Sequence, residues 1–499
     1  MLMDDVVAQA RRSTSAGDTR RLAELFDAYT LEMYFGIPND ELGAMIAGIP
    51  DDELRRHRRA LLAVATFSAR DTGDELPPRT ARTTPWSGAE PELWKHFAAA
   101  WRQRRINDVI TAHREMQDLA ASIPTVTMPL DRSNGTWAFM LGQAGLSAAL
   151  AGEFQEALTF FERALLIPPS GGMPFLVRGS HLRAALVHAM CGDRAVARLH
   201  QEQAASVPRS SSWIEEQLDA ERDLVAALLA GPADVSAAFD VVLALSFQNT
   251  GETWPFYIDA LSRLGTMSRR SAEARERIQL LRSTGLGGFT GAGFAGSVFG
   301  QTMALDALYQ DDTAQAALEL DTTDRAHWRS QILEGLLTLV DGTDPQRAIR
   351  IAEGIADQTS GLRQAENRRL GLLGFAQFQS GDEAAAVETL SAFSGGVPPE
   401  IAAVLDALAP RLAALAVELV AGWPAAAGGE PDPLDAPALR QSELRVLEEL
   451  AQGKKRAAIA ESLYISENTV KTHQRALYRK LDVSGATQAV REARRRGIL

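Results

Sequence analysis

The chain has 499 residues, of which 46% are apolar and 23% charged, with a net charge of −13 and a single cysteine. The length predicts about three domains, the composition is typical of a globular protein, and a single cysteine excludes an intrachain disulfide. The N-terminal residues form no apolar leader segment and no run of about 18 apolar residues occurs. We therefore expect no signal peptide, no membrane contact and a cytoplasmic location.

Charge is distributed unevenly along the chain. Residues 439–499 carry 13 Lys or Arg and 7 Asp or Glu, a net charge of +6, whereas the first 438 residues carry −19. An acidic surface repels phosphate, so we expect any contact with nucleic acid to be made by the basic C-terminal segment.

Residues 1–421 show mainly helical periodicity, interrupted at 71–92 by a Pro-, Gly- and Thr-rich stretch that predicts a long loop. In "LGQAGLSAALAGEFQEALTFFERALLIPP" the pattern predicts a helix that ends near Ala151 and stops at Gly152. A second helix is expected to begin near Phe154 and to end before Pro168 and Pro169. Small residues in both helices would let them approach closely, with Phe161 between them.

This helical pair resembles a tetratricopeptide repeat at its packing positions, which are Gly145, Gly152, Phe154, Ala157, Phe161, Ala164 and Pro169. Weaker copies occur around Gly192 and around Gly374, Gly381 and Ala386. The resemblance implies a helical repeat solenoid whose concave face binds an unknown effector, either a small molecule or a protein. An irregular helical domain without a groove is the alternative.

A glycine motif within this region raises the possibility of a dinucleotide site. Gly291, Gly293 and Gly296 have the G-x-G-x-x-G spacing, but the preceding residues are periodic as in a helix, whereas the motif requires a strand. A loop that runs into a closely packed helix is the better interpretation. No P-loop motif occurs, so we expect neither a cofactor nor an ATP-driven switch.

The histidines also give little support to a chemical site. His181 and His188 lie two turns apart on one predicted helix, with no third ligand at metal-binding spacing in the sequence. No nucleophile motif is present either. We therefore expect no metal and no enzymatic activity.

Residues 422–438 are rich in Pro, Gly and Ala and predict a linker, after which 439–499 predict four helices. Ser442 would cap the first, whose core face would be Leu444, Val446, Leu447, Leu450 and Ala451, and Gly453 would end it. The second would span 456–463. Ser466 would cap the third, which would run to about Leu481 with Val470 and Leu477 buried. Residues 485–497 would form the fourth.

The third predicted helix has a polar and basic outer stripe formed by Asn468, Lys471, Thr472, Arg475 and Arg479. A short helix, a tight turn and such a helix form a helix-turn-helix. The segment resembles the LuxR-type DNA-binding domain at Glu443, Leu447, Gly453, Ile459, Ala460, Leu463, Ser466, Thr469, Val470, Lys471, His473, Lys480, Leu481 and Ala489. It departs from that pattern at Arg440, Asp482 and Ala486.

The outer stripe predicts how the segment would contact double-stranded DNA. Lys471, Thr472 and Arg475 would reach base edges in the major groove. Phosphates would be held by Ser466, Thr469, Arg479, Lys480, Lys454, Lys455 and Arg456. His473 would pack within the domain or hold a phosphate.

The fold expected for the whole chain is all-α, with repeats over 1–421, a linker over 422–438 and the helix-turn-helix domain over 439–499. It resembles large LuxR-type regulators, but without the P-loop ATPase domain that many of them carry. This implies a transcriptional regulator whose repeats sense an effector. The alternative is a repeat adaptor whose terminal helices dock a protein. A homodimer on DNA would form through Thr487, Val490 and Ala493 of the last helix, or through the repeats.

Overall fold

A computed structural model describes residues 2–57, 90–123, 135–167, 172–284, 291–310, 312–340, 344–393, 402, 410–419, 423, 439, 441–463, 465–481, 483 and 485–495. The chain divides into two compact units, Met1–Val298 and Phe299–Leu499. Helices dominate the described part of both units, which confirms the all-α fold class.

The first unit begins with five short helices and continues with longer helices in pairs. The five are α1 (Met3–Ser15), α2 (Thr19–Ala28), α3 (Thr30–Gly36), α4 (Asn39–Ala47) and α5 (Asp51–Arg56). The next are α6 (Glu90–Arg105), α7 (Val109–Ser122), α8 (Thr136–Ala151), α9 (Phe154–Leu165), α10 (Pro174–Met190) and α11 (Arg194–Ser206). Then come α12 (Glu215–Leu228), α13 (Val235–Ala244), a 3₁₀ helix (Phe247–Thr253), α14 (Trp254–Met267) and α15 (Ser271–Ser283).

The unit boundary falls within α16 (Gly293–Tyr309). The second unit contains α17 (Thr313–Leu320), α18 (Trp328–Val340), α19 (Pro345–Gly354), α20 (Ala356–Thr359), α21 (Arg363–Ser380), α22 (Glu383–Ser391) and α23 (Pro410–Leu419). Near its end lie α24 (Gln441–Ala451), α25 (Arg456–Leu463), α26 (Glu467–Leu481) and α27 (Ala486–Arg495).

The helical pair α8–α9 has the predicted ends. Helix α8 ends at Ala151, Gly152 adopts the left-handed conformation with φ of 96°, and α9 begins at Phe154. Gly145 is required because a Cβ there would lie 2.5 Å from the ring of Phe161, which is fully buried between the helices. The predicted stop at Pro168 and Pro169 lies outside the described residues.

Two further predicted turns join helical pairs at the expected places. Gly192 lies between α10 and α11, and Gly381, with φ of 92°, ends α21 just before α22. The repeat solenoid itself, and the domain bounds 1–421, 422–438 and 439–499, remain predictions. The loop predicted at 71–92 is too long at its C-terminal end, because α6 already begins at Glu90. Residues 71–89 of this predicted loop lie outside the described part.

The glycine motif at residues 291–296 is preceded by a helix rather than by a strand, and a second helix begins within it. Helix α15 ends at Ser283, residues 285–290 are outside the description, and α16 begins at Gly293. A Cβ at Gly293, whose φ is 67°, would lie 2.8 Å from the carbonyl oxygen of Ala151. Close packing against the end of α8 therefore accounts for this glycine, as the sequence interpretation expected.

Within the described residues no helix is both long and apolar enough to cross a bilayer, and no group of three or more His, Cys, Asp or Glu side chains is arranged to hold a metal. Cys191 is fully buried and its Sγ donates to the carbonyl oxygen of Val187 at 3.3 Å.

His200, which its spacing in the sequence does not link to His181 and His188, lies beside both of them in the fold. His181 Nδ1 and His200 Nδ1 lie 2.9 Å apart, and the ring of His188 stacks on that of His200 at 5.7 Å. His188 Nδ1 also accepts a hydrogen bond from the backbone N–H of Asp193 at 3.3 Å. Burial and the nearby His200 lower the pKa of His181 and of His188 to about 4, and burial lowers the pKa of His200.

We expect this cluster to make the first unit less stable in acid. The folded pKa values lie below the ordinary value of about 6.5, so the unfolded chain binds more protons as the pH falls from 6.5 towards 4. The stability that the neutral histidine cluster contributes is fully present above pH 6.5, and it is lost as the pH falls from 6.5 to 4. Thermal unfolding at pH 7 and pH 5 measures it, and His200→Gln should reduce the difference between the two midpoints. An unchanged difference would contradict this role.

Candidate nucleic-acid interface

The last four helices enclose two small apolar clusters. One joins the first, third and fourth of these helices and contains Leu447, Leu477, Leu481, Ala489 and Ala493. The other joins α24, α25 and α26 and contains Val446, Ile459, Ala460 and Val470. The clusters bury the face of α26 that the periodicity predicted, with Val470 and Leu477 fully buried. The opposite face of α26 is therefore turned away from the domain core.

The start of the first of these helices differs from the prediction. Helix α24 begins at Gln441, so Ser442 is its second residue and cannot be the N-cap. The hydroxyl of Ser442 instead lies 3.4 Å from His473 Nδ1 on α26. Of the expected core face, Val446 and Leu447 are fully buried, whereas Leu444, Leu450 and Ala451 are half-buried. Gly453, with φ of 76°, follows the helix as predicted.

The turn before α26 has the predicted capping geometry. The backbone N–H of Thr469 donates to Ser466 Oγ at 3.1 Å, and the hydroxyls of Ser466 and Thr469 lie 2.7 Å apart. Glu467 occupies the first turn of α26, where its carboxylate interacts favourably with the positive end of the helix dipole. The cap fixes the direction in which α26 leaves the turn.

The outer face of α26 presents polar and basic side chains. Thr472 and Arg475 are exposed and Lys471 is half-buried. Lys471 and Arg475 have no acidic partner among the described residues. The side chains of Asn468 and Arg479 are outside the description. Two cations on an exposed helix face are available to a polyanion.

Three of the predicted phosphate-binding residues have partners inside the domain. Lys480 Nζ lies 2.7 Å from Glu443 Oε2, and that glutamate side chain is only 1% exposed. Lys454 forms an ion pair with Glu449 and lies 3.4 Å from Ser462 Oγ.

Arg456 is the third of these residues. Its Nε donates to Gln474 Oε1 at 3.3 Å, and Gln474 is buried on α26. The contact links the second helix to the third and helps to hold the angle between them. Lys455 remains exposed, with no acidic partner among the described residues.

The last helix gives a different contact surface from the one expected. Ala493 is fully buried in the domain core, so its assignment to a dimer contact is wrong. Thr487 is exposed and Val490 is half-buried. They lie at an open groove whose lining includes Leu450, Ala451 and the basic residues Lys454, Arg491 and Arg494.

The model of the family described as "Bacterial regulatory proteins, luxR family" matches residues 438–493, which contain this helix-turn-helix. The spore germination protein GerE of Bacillus subtilis is 44% identical over 63 residues, which are 13% of this chain and 85% of that relative. The chain belongs to the luxR family of bacterial regulatory proteins.

Two longer relatives also match over short stretches of the chain. The probable transcriptional regulatory protein NarL of Mycobacterium tuberculosis is 47% identical over 64 residues, or 13% of this chain and 30% of the relative. The nitrate/nitrite response regulator protein NarP of Escherichia coli is 50% identical over 62 residues, which are 12% of this chain and 28% of that relative. The chain thus spans less than a third of the length of NarL and NarP. No solved structure matches it.

Proposed function

We propose that this luxR-family protein is a transcriptional regulator whose C-terminal domain binds double-stranded DNA in a sequence-specific manner. The observation that carries the proposal is the placement of Thr472 and Arg475 on the exposed face of the capped helix α26, opposite its buried apolar face. A helix of this kind fits the major groove. Relatives that are named as a transcriptional regulatory protein and a response regulator match over 64 and 62 residues.

The contacts differ in what they would contribute. Lys471, Thr472 and Arg475, with Asn468 on the same stripe, would meet base edges. Ser466 and Thr469 would place the N-terminus of α26 near a phosphate, where the helix dipole favours an anion. The remaining phosphate contacts would come from Lys455, Arg456 and Arg479. Lys454 and Lys480 would chiefly support the fold, since carboxylates already hold them.

Salt dependence tests the DNA proposal against a protein-docking role. About 4–7 phosphate contacts predict that log K falls with log salt with a slope of about −4 to −6. The measurement is binding of residues 439–499 to duplex DNA between 50 and 200 mM salt, since this segment has its own apolar clusters. A slope near zero would favour the alternative of a repeat adaptor whose C-terminal helices dock a protein.

The helical region before this domain would sense an unknown effector, either a small molecule or a protein. Its support is the helical pairs α8–α9, α10–α11 and α21–α22, whose turns lie where the repeat pattern expects them. No cofactor or catalytic step enters the proposal.

We expect two copies to bind a paired site, because one helix-turn-helix reads too few base pairs to select a site in a genome. The proposed contact uses Thr487 and Val490 of α27. Val490→Glu places a charge there and should remove cooperative binding to two half-sites. Val490 also packs against an apolar cluster of the domain, so thermal unfolding must first show that the variant is folded. The folded variant should bind a single half-site within about threefold of wild type. Gln488→Glu, which adds the same charge at an exposed residue of α27 that does not line the groove, is the matched control. Cooperativity that survives Val490→Glu would move the contact to the helical repeats.

A further inference from the structure

The first five helices form an N-terminal module, residues 2–57, with a core of its own. Helices α1 to α5 pack chiefly against one another. Val6, Ala23 and Met33 are fully buried, and Leu22, Leu25 and Phe26 are nearly so. The module therefore has internal packing that does not depend on the later helices.

The module meets the rest of this unit chiefly through two adjacent aromatic residues at the end of α3, and Asp4 of α1 also accepts a hydrogen bond from Ser211. The ring of Phe35 lies 5.5 Å from that of Phe139 on α8, 4.7 Å from that of Phe175 on α10 and 5.7 Å from that of Trp213. The ring of Tyr34 packs edge-on against Trp213 at 5.6 Å. Phe35 is only 5% exposed. We call the three receiving rings, Phe139, Phe175 and Trp213, the aromatic cradle.

The cradle also binds the backbone of α3. The last carbonyl groups of a helix have no partner within it and must be satisfied from outside. Trp213 Nε1 donates to the carbonyl oxygen of Tyr34 at 2.8 Å, and Ser212 Oγ donates to that of Phe35 at 2.7 Å. Two side chains of a distant loop thus cap the end of this seven-residue helix.

The loop that contains Ser212 and Trp213 also forms contacts with residues outside the module. Glu215 is buried and accepts hydrogen bonds at 2.8 Å from both the backbone N–H and the hydroxyl of Ser210. Glu215 also pairs with the buried Arg178 of α10. None of these contacts involves the module. Ser211 of the same loop does donate to Asp4 of α1, so the module holds part of the loop. The part that Glu215 holds is preorganised without the module, which lowers the entropic cost of binding a helix end.

We infer that the aromatic cradle is a docking site for a helix that ends in two adjacent aromatic residues, and that the chain's own Tyr34 and Phe35 occupy it. A partner protein with such a helix end would compete for the cradle and release the N-terminal module. The inference names a partner class for the sensing role proposed above and rests on that role for its regulatory meaning. Its tests involve no DNA, so they fail or succeed separately from the DNA proposal.

Hydrogen exchange of the full chain tests whether the module is a docked ligand or a fixed part of the core. We expect amides of α3 to exchange through a local opening, at least ~10-fold faster than those of α8 and α10. Trp213→Phe, which removes the N–H donor and keeps an aromatic ring, should accelerate α3 further and leave α8 unchanged. Trp254→Phe, elsewhere in the same unit, should not accelerate α3. Exchange of α3 only together with α8 and α10 would overturn the inference.

Competition provides a second test, with a helix-stabilised peptide of residues 29–37 as the probe. The full chain carrying Phe35→Ala should bind this peptide at least ~10-fold more tightly than the wild-type chain, whose cradle is occupied. Adding Trp213→Phe should remove most of that gain, and a peptide with Phe35→Ala should not bind. If Phe35→Ala prevents folding, the exchange result for Trp213→Phe decides. Equal binding by the wild-type and Phe35→Ala chains, both folded, would refute the docking site.

Discussion

Lys480→Ala should destabilise the C-terminal domain by about 3 kcal/mol, because it leaves the buried carboxylate of Glu443 without its ammonium partner. That pair joins α24 to α26 at 2.7 Å, and the lysine side chain is itself only 17% exposed. DNA binding should fall for all sequences alike, since α26, the helix that we propose enters the groove, is held less firmly without this ion pair. The free energy of unfolding of residues 439–499 in urea measures the effect.

Two variants separate this structural role from a phosphate contact. Lys455→Ala removes an exposed charge and should change the unfolding free energy by less than about 0.5 kcal/mol while still weakening DNA binding. Lys480→Met combined with Glu443→Leu removes both charges and should restore most of the stability lost in Lys480→Ala. If Lys480→Ala left the domain as stable as Lys455→Ala does, the ion pair would not support the fold.

Replacement of Lys471 and Arg475 by alanine should remove most of the sequence preference of the protein. Each good base contact discriminates by about 1–3 kcal/mol, or about 5- to 150-fold, so the double variant should approach non-specific affinity. Both side chains lie on the outer face of α26, away from the apolar clusters. Stability should therefore change little.

The measurement compares binding of the double variant to a selected site and to the same site with altered base pairs. The single variants should each relax preference at a different position of the half-site. Lys455→Ala should instead weaken binding to both duplexes by the same factor. If Arg475→Ala reduced the affinity for both duplexes by the same factor, this side chain would hold a phosphate and α26 would lie in the groove at another angle.

Features that depend on neighbouring residues in the chain could be predicted from the sequence. The left-handed Gly152, the cap at Ser466 and the extent of α25 and α26 follow from local turn and capping chemistry. The stripe of Thr472 and Arg475 follows from helical periodicity alone. These signals lie within one or two turns of the residues that they position.

Contacts between distant residues could not be predicted in this way. The ion pair of Glu443 with Lys480 and the contact of His181 with His200 depend on how helices pack. Ser442 has the residue type of a cap, but α24 starts at Gln441, two residues earlier than a cap at Ser442 requires. The burial of Ala493 likewise depends on the angle between α27 and its neighbours, because either face of that helix could have met the core.

Selection from a random duplex library by the full chain is the sharpest test of sequence-specific DNA binding. We expect enrichment of a defined half-site, in pairs about one helical turn apart, and loss of that enrichment in the Lys471→Ala, Arg475→Ala double variant. Random sequences after several rounds, from a folded wild-type chain at low salt, would contradict the claim that this luxR-family protein reads DNA sequence.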